Sequence, residues 1–354
     1  MLKILKIISI IVGYYGQIDR LTSKKYNWMK IYIRIITILL LTIYSININA
    51  QEPTFTQFYA NPIYLNPAFA GSNKCPRINM NYRNEWPNLS GNYVTYSASY
   101  DKFVKSIAGG LGVIATYDQQ GRGTINTAML GLAYSYHQKI NRKFSMLFGA
   151  RAAYFQKSID PTKLTFNDMI DRYKGFIYPT ADKIGDNQVN VQFFNASAGV
   201  LGYSKRFFAG IAVHNLNMPN ESLIKNGVSP QKMRFTFHTG ADIKIGGARS
   251  RYSKPTSLMP NIIFQYQQGF MEMNFGTYVK HGNFTFGAWY RNRDAFILSL
   301  GISTKAFRMG YSYDITVSKL NNGVSYGSHE VSMALNLSCG EKPVNHRNLS
   351  CPSF

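Results

Sequence analysis

From Phe307 to Asp314 the chain reads FRMGYSYD, and every second residue is aromatic or large and apolar. Phe307, Met309, Tyr311 and Tyr313 share one parity, while Arg308, Gly310, Ser312 and Asp314 share the other. Successive side chains of a strand point to opposite faces, so this segment has one greasy face and one wet face. The alternation returns near the end, where Val331, Met333, Leu335 and Leu337 interleave with Glu330, Ser332, Ala334 and Asn336. It occurs early as Ile78, Met80 and Tyr82 against Asn79, Asn81, Arg83 and Glu85. Phe235, Phe237, Ala241 and Ile243 likewise stand opposite Arg234, Thr236, His238, Gly240 and Asp242. Ionised groups share the polar parity with Gly, Ser and Asn, which is not how a packed sandwich core alternates.

Working outward gives fourteen candidate strands, near 77–85, 92–101, 108–118, 124–138, 144–158, 189–203, 207–215, 231–245, 258–268, 271–280, 283–292, 295–304, 307–315 and 328–338. An even number of segments about ten residues long predicts an all-β fold, a closed antiparallel transmembrane β-barrel of about 14 strands. Closure removes the sheet edges that lipid cannot satisfy. A soluble sandwich or propeller is the competing architecture, but no blade-length repeat is visible. With the N-terminus in the periplasm, the long connections Ile159–Gln188, Leu216–Pro230 and Thr316–Gly327 face outward and most of the others are short. That asymmetry suits an outer-membrane barrel; Gly246–Ser257 is longer than it predicts.

Composition agrees. The 354 residues are 45% hydrophobic and 14% aromatic but only 16% charged, which argues against disorder. The single long apolar run lies near the N-terminus, so a bundle of membrane helices is excluded as well. That run has a basic start at Lys30 and Arg34, an apolar core at Ile35–Ile43 and a cleavage site at Ile48-Asn49-Ala50. These are the parts of a secretory signal peptide over 29–50, with the mature chain starting at Gln51. Residues 1–28 read as a non-structural leader or a mis-called start. The formal charge of +22 does not come from this region, since the mature chain keeps 32 of 39 basic and 16 of 17 acidic residues. Twelve Lys or Arg fall in the connections on the periplasmic side, Gly246–Ser257 included, against Asp101, a basic rim suited to acidic periplasmic surfaces or phosphate headgroups. A secreted chain does not normally meet nucleic acid, so that partner is not expected.

No phosphate loop, paired-His metal motif or Gly-x-Ser-x-Gly elbow occurs. Ser328-His329-Glu330 cannot form a triad, because adjacent strand residues point to opposite faces. Neither an enzyme nor a cofactor is expected.

Three stretches go beyond a generic barrel. The mature N-terminus contains FTQFYANPIYLNPAFAGS, followed by RINMNYRNEWPNLSGNYVTYSASYD, and the end contains GYSYDITVSKLNNGVSYGSHEVSMALNL before a tail closing in CPSF. Together, from about Gln51 to Phe354, they resemble the PorP/SprF family of Bacteroidetes outer-membrane proteins. The resemblance implies a barrel working with the type IX secretion system and, in some organisms, gliding motility. It implies secretion-system components and exported surface proteins as partners, adhesins among them, bound through their C-terminal domains. A passive outer-membrane porin is the alternative.

Between the signal peptide and the first strand, an arm over 51–76 is rich in aromatics. Phe58, Phe69 and their neighbours must pack somewhere, and the periplasmic mouth or the lumen is the expected place, as a plug or a docking arm. Asn61-Pro62 and Asn66-Pro67 are turn-forming pairs expected to hold the arm extended and deny it helix. Arg83 and Glu85 face the lumen, and Arg308, Asp314 and Glu330 lie on strands that close against the first, so an ion-pair network across the seam is expected. The barrel is expected over 77–338, with a periplasmic tail over 339–354. Cys75 precedes the first strand, Cys339 follows the last and Cys351 lies on the tail, so one disulfide among the three is expected, with the pair left open. A zinc site is the weaker alternative, since no His clusters with them.

Overall fold

The computed structural model describes residues 52–73, 75–171, 173–176, 190–224, 226–246, 256–304, 306–317 and 326–338. The signal peptide, the residues before it, Cys339, Cys351 and the tail lie outside the described residues.

Alternating sequence becomes alternating exposure. In β1 (Arg77–Glu85), Asn79, Asn81 and Arg83 are buried while Met80 and Tyr82 are exposed. The remaining barrel strands begin with β2 (Tyr93–Val104), β3 (Gly109–Gln120), β4 (Ile125–Lys139), β5 (Phe144–Ile159), β6 (Asn190–Ser204) and β7 (Phe207–His214), and a short hairpin outside the barrel sheet pairs Ile170–Asp171 with Gly175–Phe176 after β5. β8 comes in two pieces, Arg234–Ala241 and Ile243–Gly246, parted at Asp242. There follow β9 (Thr256–Gln267), β10 (Phe270–His281), β11 (Phe284–Arg291), β12 (Ala295–Ser303), β13 (Phe307–Thr316) and β14 (Ser328–Asn336).

Each strand pairs antiparallel with its sequence neighbours, and β1 pairs with β14 from Arg77↔Asn336 to Glu85↔Ser328. β8 joins β7 on one side and β9 on the other, which completes the circuit. The result is a closed 14-stranded antiparallel barrel. Its outward face carries exposed Leu132, Phe148, Phe194 and Leu298, the reverse of a water-soluble fold and the arrangement that lipid favours. Among the described residues no helix is long and apolar enough to cross a membrane; the crossing elements are strands.

The two ends differ. One carries tight turns, such as 140–143, 205–206 and 282–283; the other carries the long connections 160–189, 215–233 and 317–327. They are called here the short-turn end and the long-loop end. The long-loop end also has tight turns: at Gln268-Gly269 φ is +48° and +83°, and positive φ at both centres matches the twist of a hairpin.

Candidate functional site

The arm lies in the lumen. Phe58, Ile63, Leu65, Ala68 and Phe69 are all buried, and with Leu147, Leu201, Phe208, Ile263 and Trp289 they form the molecule's apolar core. A barrel of fourteen strands is too wide for its own side chains to fill, so the arm supplies the missing interior.

Local chemistry sets the arm's shape, and here the structure corrects an expectation. Each Asn-Pro pair begins a helical turn instead of excluding one. Pro62 starts α1 (Pro62–Leu65), and Pro67 starts a 3-10 turn over Pro67–Phe69. The residue before proline is indeed extended, with Asn66 at φ −155° and ψ 121°. Proline itself sits at the first helical position, where its missing N–H costs nothing. Asn66 then caps the second turn, its Oδ1 accepting from Ala68 N at 2.9 Å. Its Nδ2 lies 3.2 Å from Val200 O, 3.3 Å from Ile211 O and 3.1 Å from His238 Nε2, tying one side chain to three strands. Asn61 Nδ2 donates to Ser97 Oγ at 2.7 Å.

Glycines on the lumen face let the arm's backbone approach the wall. A Cβ at Gly149 would overlap the backbone of Pro67 and Ala68, and one at Gly110 would overlap Ala70. Ser135 Oγ donates to Ala68 O at 2.9 Å, and Gly71 N donates to Asp101 Oδ2 at 3.0 Å. Phe69 stacks on His238 with centroids 5.3 Å apart, and Phe58 packs on Trp289 at 5.1 Å. Apart from Phe58, these groups belong to the half of the arm that leads to the short-turn end, where Asn73 Nδ2 donates to Asn336 Oδ1.

The first half of the arm is held by charge. Arg83 is 1% exposed; its guanidinium lies 3.0 Å from Asp314, 3.4 Å from Glu330 and 2.5 Å from Glu85. Arg291 extends the chain of ion pairs, 3.5 Å from Asp314 and 3.7 Å from Glu272. Acids outnumber arginines along this wall, and the arm answers with donors. Thr56 N and Oγ1 give hydrogen bonds of 2.6 and 2.8 Å to Glu330 Oε2, and Gln57 N gives one of 3.2 Å to Oε1. Arg83 also donates to Thr56 Oγ1 at 2.9 Å, so strand seam and arm share one network.

Across the lumen the wall is basic, with buried Arg151, His214 and Arg234. Here the arm presents an acid: Glu52 pairs with Arg234 at 3.1 Å and accepts from Gln231 and Asn215. Arg234 also stands 5.4 Å over the Tyr64 ring. The Tyr64 phenol donates to Pro53 O at 2.5 Å.

Of the candidate ionic residues, the structure brings Arg83, Glu85, Asp314 and Glu330 together. Arg308 stands apart. It shares the lumen parity of Asp314, but six residues along a strand amount to about 20 Å. It faces Arg77 and Asp101 near the short-turn end, in the wall of a cavity of about 90 Å³ beside Gln57 and Tyr59. Cys75 is disulfide-bonded; the choice between Cys339 and Cys351 lies outside the described residues. Sequence reading put Arg234 and several glycines on the wet parity without giving them a role, and it missed Glu52 and Thr56. Glycine recurring on the inward parity, as at Gly110, Gly149, Gly199 and Gly210, was the available sign that another backbone comes close.

The chain matches, over residues 47–335, the family described as type IX secretion system membrane protein PorP/SprF. None of the curated proteins matches it. Among solved structures it is similar to the outer-membrane protein Omp33 of Acinetobacter baumannii, at 8% identity, 75% of this chain, 100% of that one and a TM-score of 0.39. It is also similar to a FadL homologue of Pseudomonas aeruginosa, at 10% identity, 77% of this chain, 93% of that one and a TM-score of 0.40.

Proposed function

The chain belongs to the PorP/SprF family of type IX secretion system membrane proteins, and from that premise we propose that it is a binding and tethering accessory with no catalytic role. It resides in the outer membrane and works with components of the secretion system. In this reading the short-turn end faces the periplasm and the long loops face outward, the usual arrangement of such barrels. The outer loops and mouth hold exported surface proteins, adhesins among them, through their C-terminal domains, in support of export or gliding.

The observation that carries this reading is the occupied lumen. A passive porin needs a water path, whereas here a polar-and-apolar arm is built into the interior through Asn66, Glu330 and Arg234. A barrel filled by its own arm is better suited to present a surface than to pass solutes. Affinity capture from solubilised envelopes tests it. Recovery of an exported surface protein together with a secretion-system subunit is expected, along with loss of that protein from the surface on deletion. Capture of neither, with export unchanged, contradicts the proposal.

A further inference from the structure

The two ends of the arm lie at opposite ends of the barrel. Asn73 bonds to Asn336, the last residue of β14, at the short-turn end, and Arg77 then opens β1. Glu52 bonds instead to Asn215 and Gln231 in the connection between β7 and β8 and to Arg234, the first residue of β8. All three belong to the long-loop end. Thr56 sits near the same end, on Glu330, the third residue of β14. The arm therefore runs the height of the lumen, and Glu52 lies at the end away from Arg77, where the first strand starts.

We propose that, with the signal peptide removed before Gln51, the new N-terminus is delivered through the barrel to the outer face, so that the mature chain starts at the cell surface. The latch is Glu52 on Arg234, on the lumen's basic wall, backed by Thr56 and Gln57 on Glu330 of the acidic wall. Each arm group meets the opposite electrostatic character, which fixes the direction of threading: reversed, the arm would bring Glu52 down beside the short-turn end and leave Arg234 and Glu330 buried without these partners. Unpaired buried charges are strongly disfavoured, so a half-threaded arm is a poor resting state. The start of the chain thereby becomes part of the surface that an exported partner meets.

The inference shares its orientation with the proposed function, and the experiment separates them. A short epitope is placed between Gln51 and Glu52, and in a second strain at the exposed hairpin tip Tyr173-Lys174 of the longest loop. Antibody binding is read on intact and on permeabilised cells, with heat-dependent gel mobility reporting the folded barrel. Both epitopes are expected to be detected on intact cells at comparable strength. An N-terminal epitope seen only after permeabilisation, beside a displayed loop epitope, overturns this inference and leaves the tethering role standing. Both epitopes hidden on intact cells would overturn the orientation and with it both readings. Should the inserted epitope prevent folding, Thr54→Cys, at a half-buried residue near the latch, is labelled on intact cells with a membrane-impermeant maleimide against the parent's background. Labelling above that background is expected; labelling only in broken cells overturns the inference.

Discussion

The two halves of the arm are held by different physics. Near the short-turn end, Pro67–Gly71 lies so close to the wall that glycine is required opposite it, and most of the fit is shape. Near the long-loop end, Glu52–Thr56 rests on ion pairs and charge-assisted hydrogen bonds to Glu330 and Arg234. A contact made by shape fails all at once when a side chain is added. One made of several polar bonds fails by degrees, and it is the half that a competing charged segment could displace.

Breaking the lower half should give the largest effect. Gly149→Leu puts a branched side chain where the backbone of Ala68 sits, so folded barrel in the outer membrane should fall several-fold by heat-modifiable gel mobility. Gly91, with open space around its Cβ position, should accept the same change without loss. Next comes the upper half. Arg83→Ala leaves Glu330 buried without its cation and Asp314 with only the longer pair to Arg291, and should cost about 3–5 kcal/mol, read as a lower denaturant midpoint of the purified barrel. Were Arg83→Ala more disruptive than Gly149→Leu, the ranking of shape over charge would be reversed. Asn66→Ala removes one cap and the bonds of Nδ2, for a loss of about 1–2 kcal/mol by the same titration. Smallest is Glu52→Gln, because the amide oxygen can still accept from Arg234, or from Gln231 and Asn215, and the main loss is the charge. A shift of about 1 kcal/mol is expected.

How much of this was legible in the sequence follows from the same contrast. The strands were, because lipid outside and polar lumen inside impose a period of two; β1 begins at Arg77 and ends at Glu85 as the alternation says. Charge on the lumen parity of Arg83, Asp314 and Glu330 was visible too, though parity alone could not show that Arg308 lies too far along its strand to join them. The arm was harder. Asn-Pro reads as a turn signal, yet proline at a first helical position starts a turn as readily as it blocks one, and which occurs depends on the wall that receives it. The pairing of Glu52 with Arg234 spans nearly the whole first half of the barrel and leaves no local mark.

The central claim is that this outer-membrane barrel is filled by its own arm. Single-channel recording of the purified protein in planar bilayers tests it most directly, beside a variant lacking residues 52–72. The intact barrel should show no stable open pore and the shortened one, if folded by gel mobility, a steady conductance. A large, stable conductance from the intact protein, unchanged by removing the arm, would contradict the account.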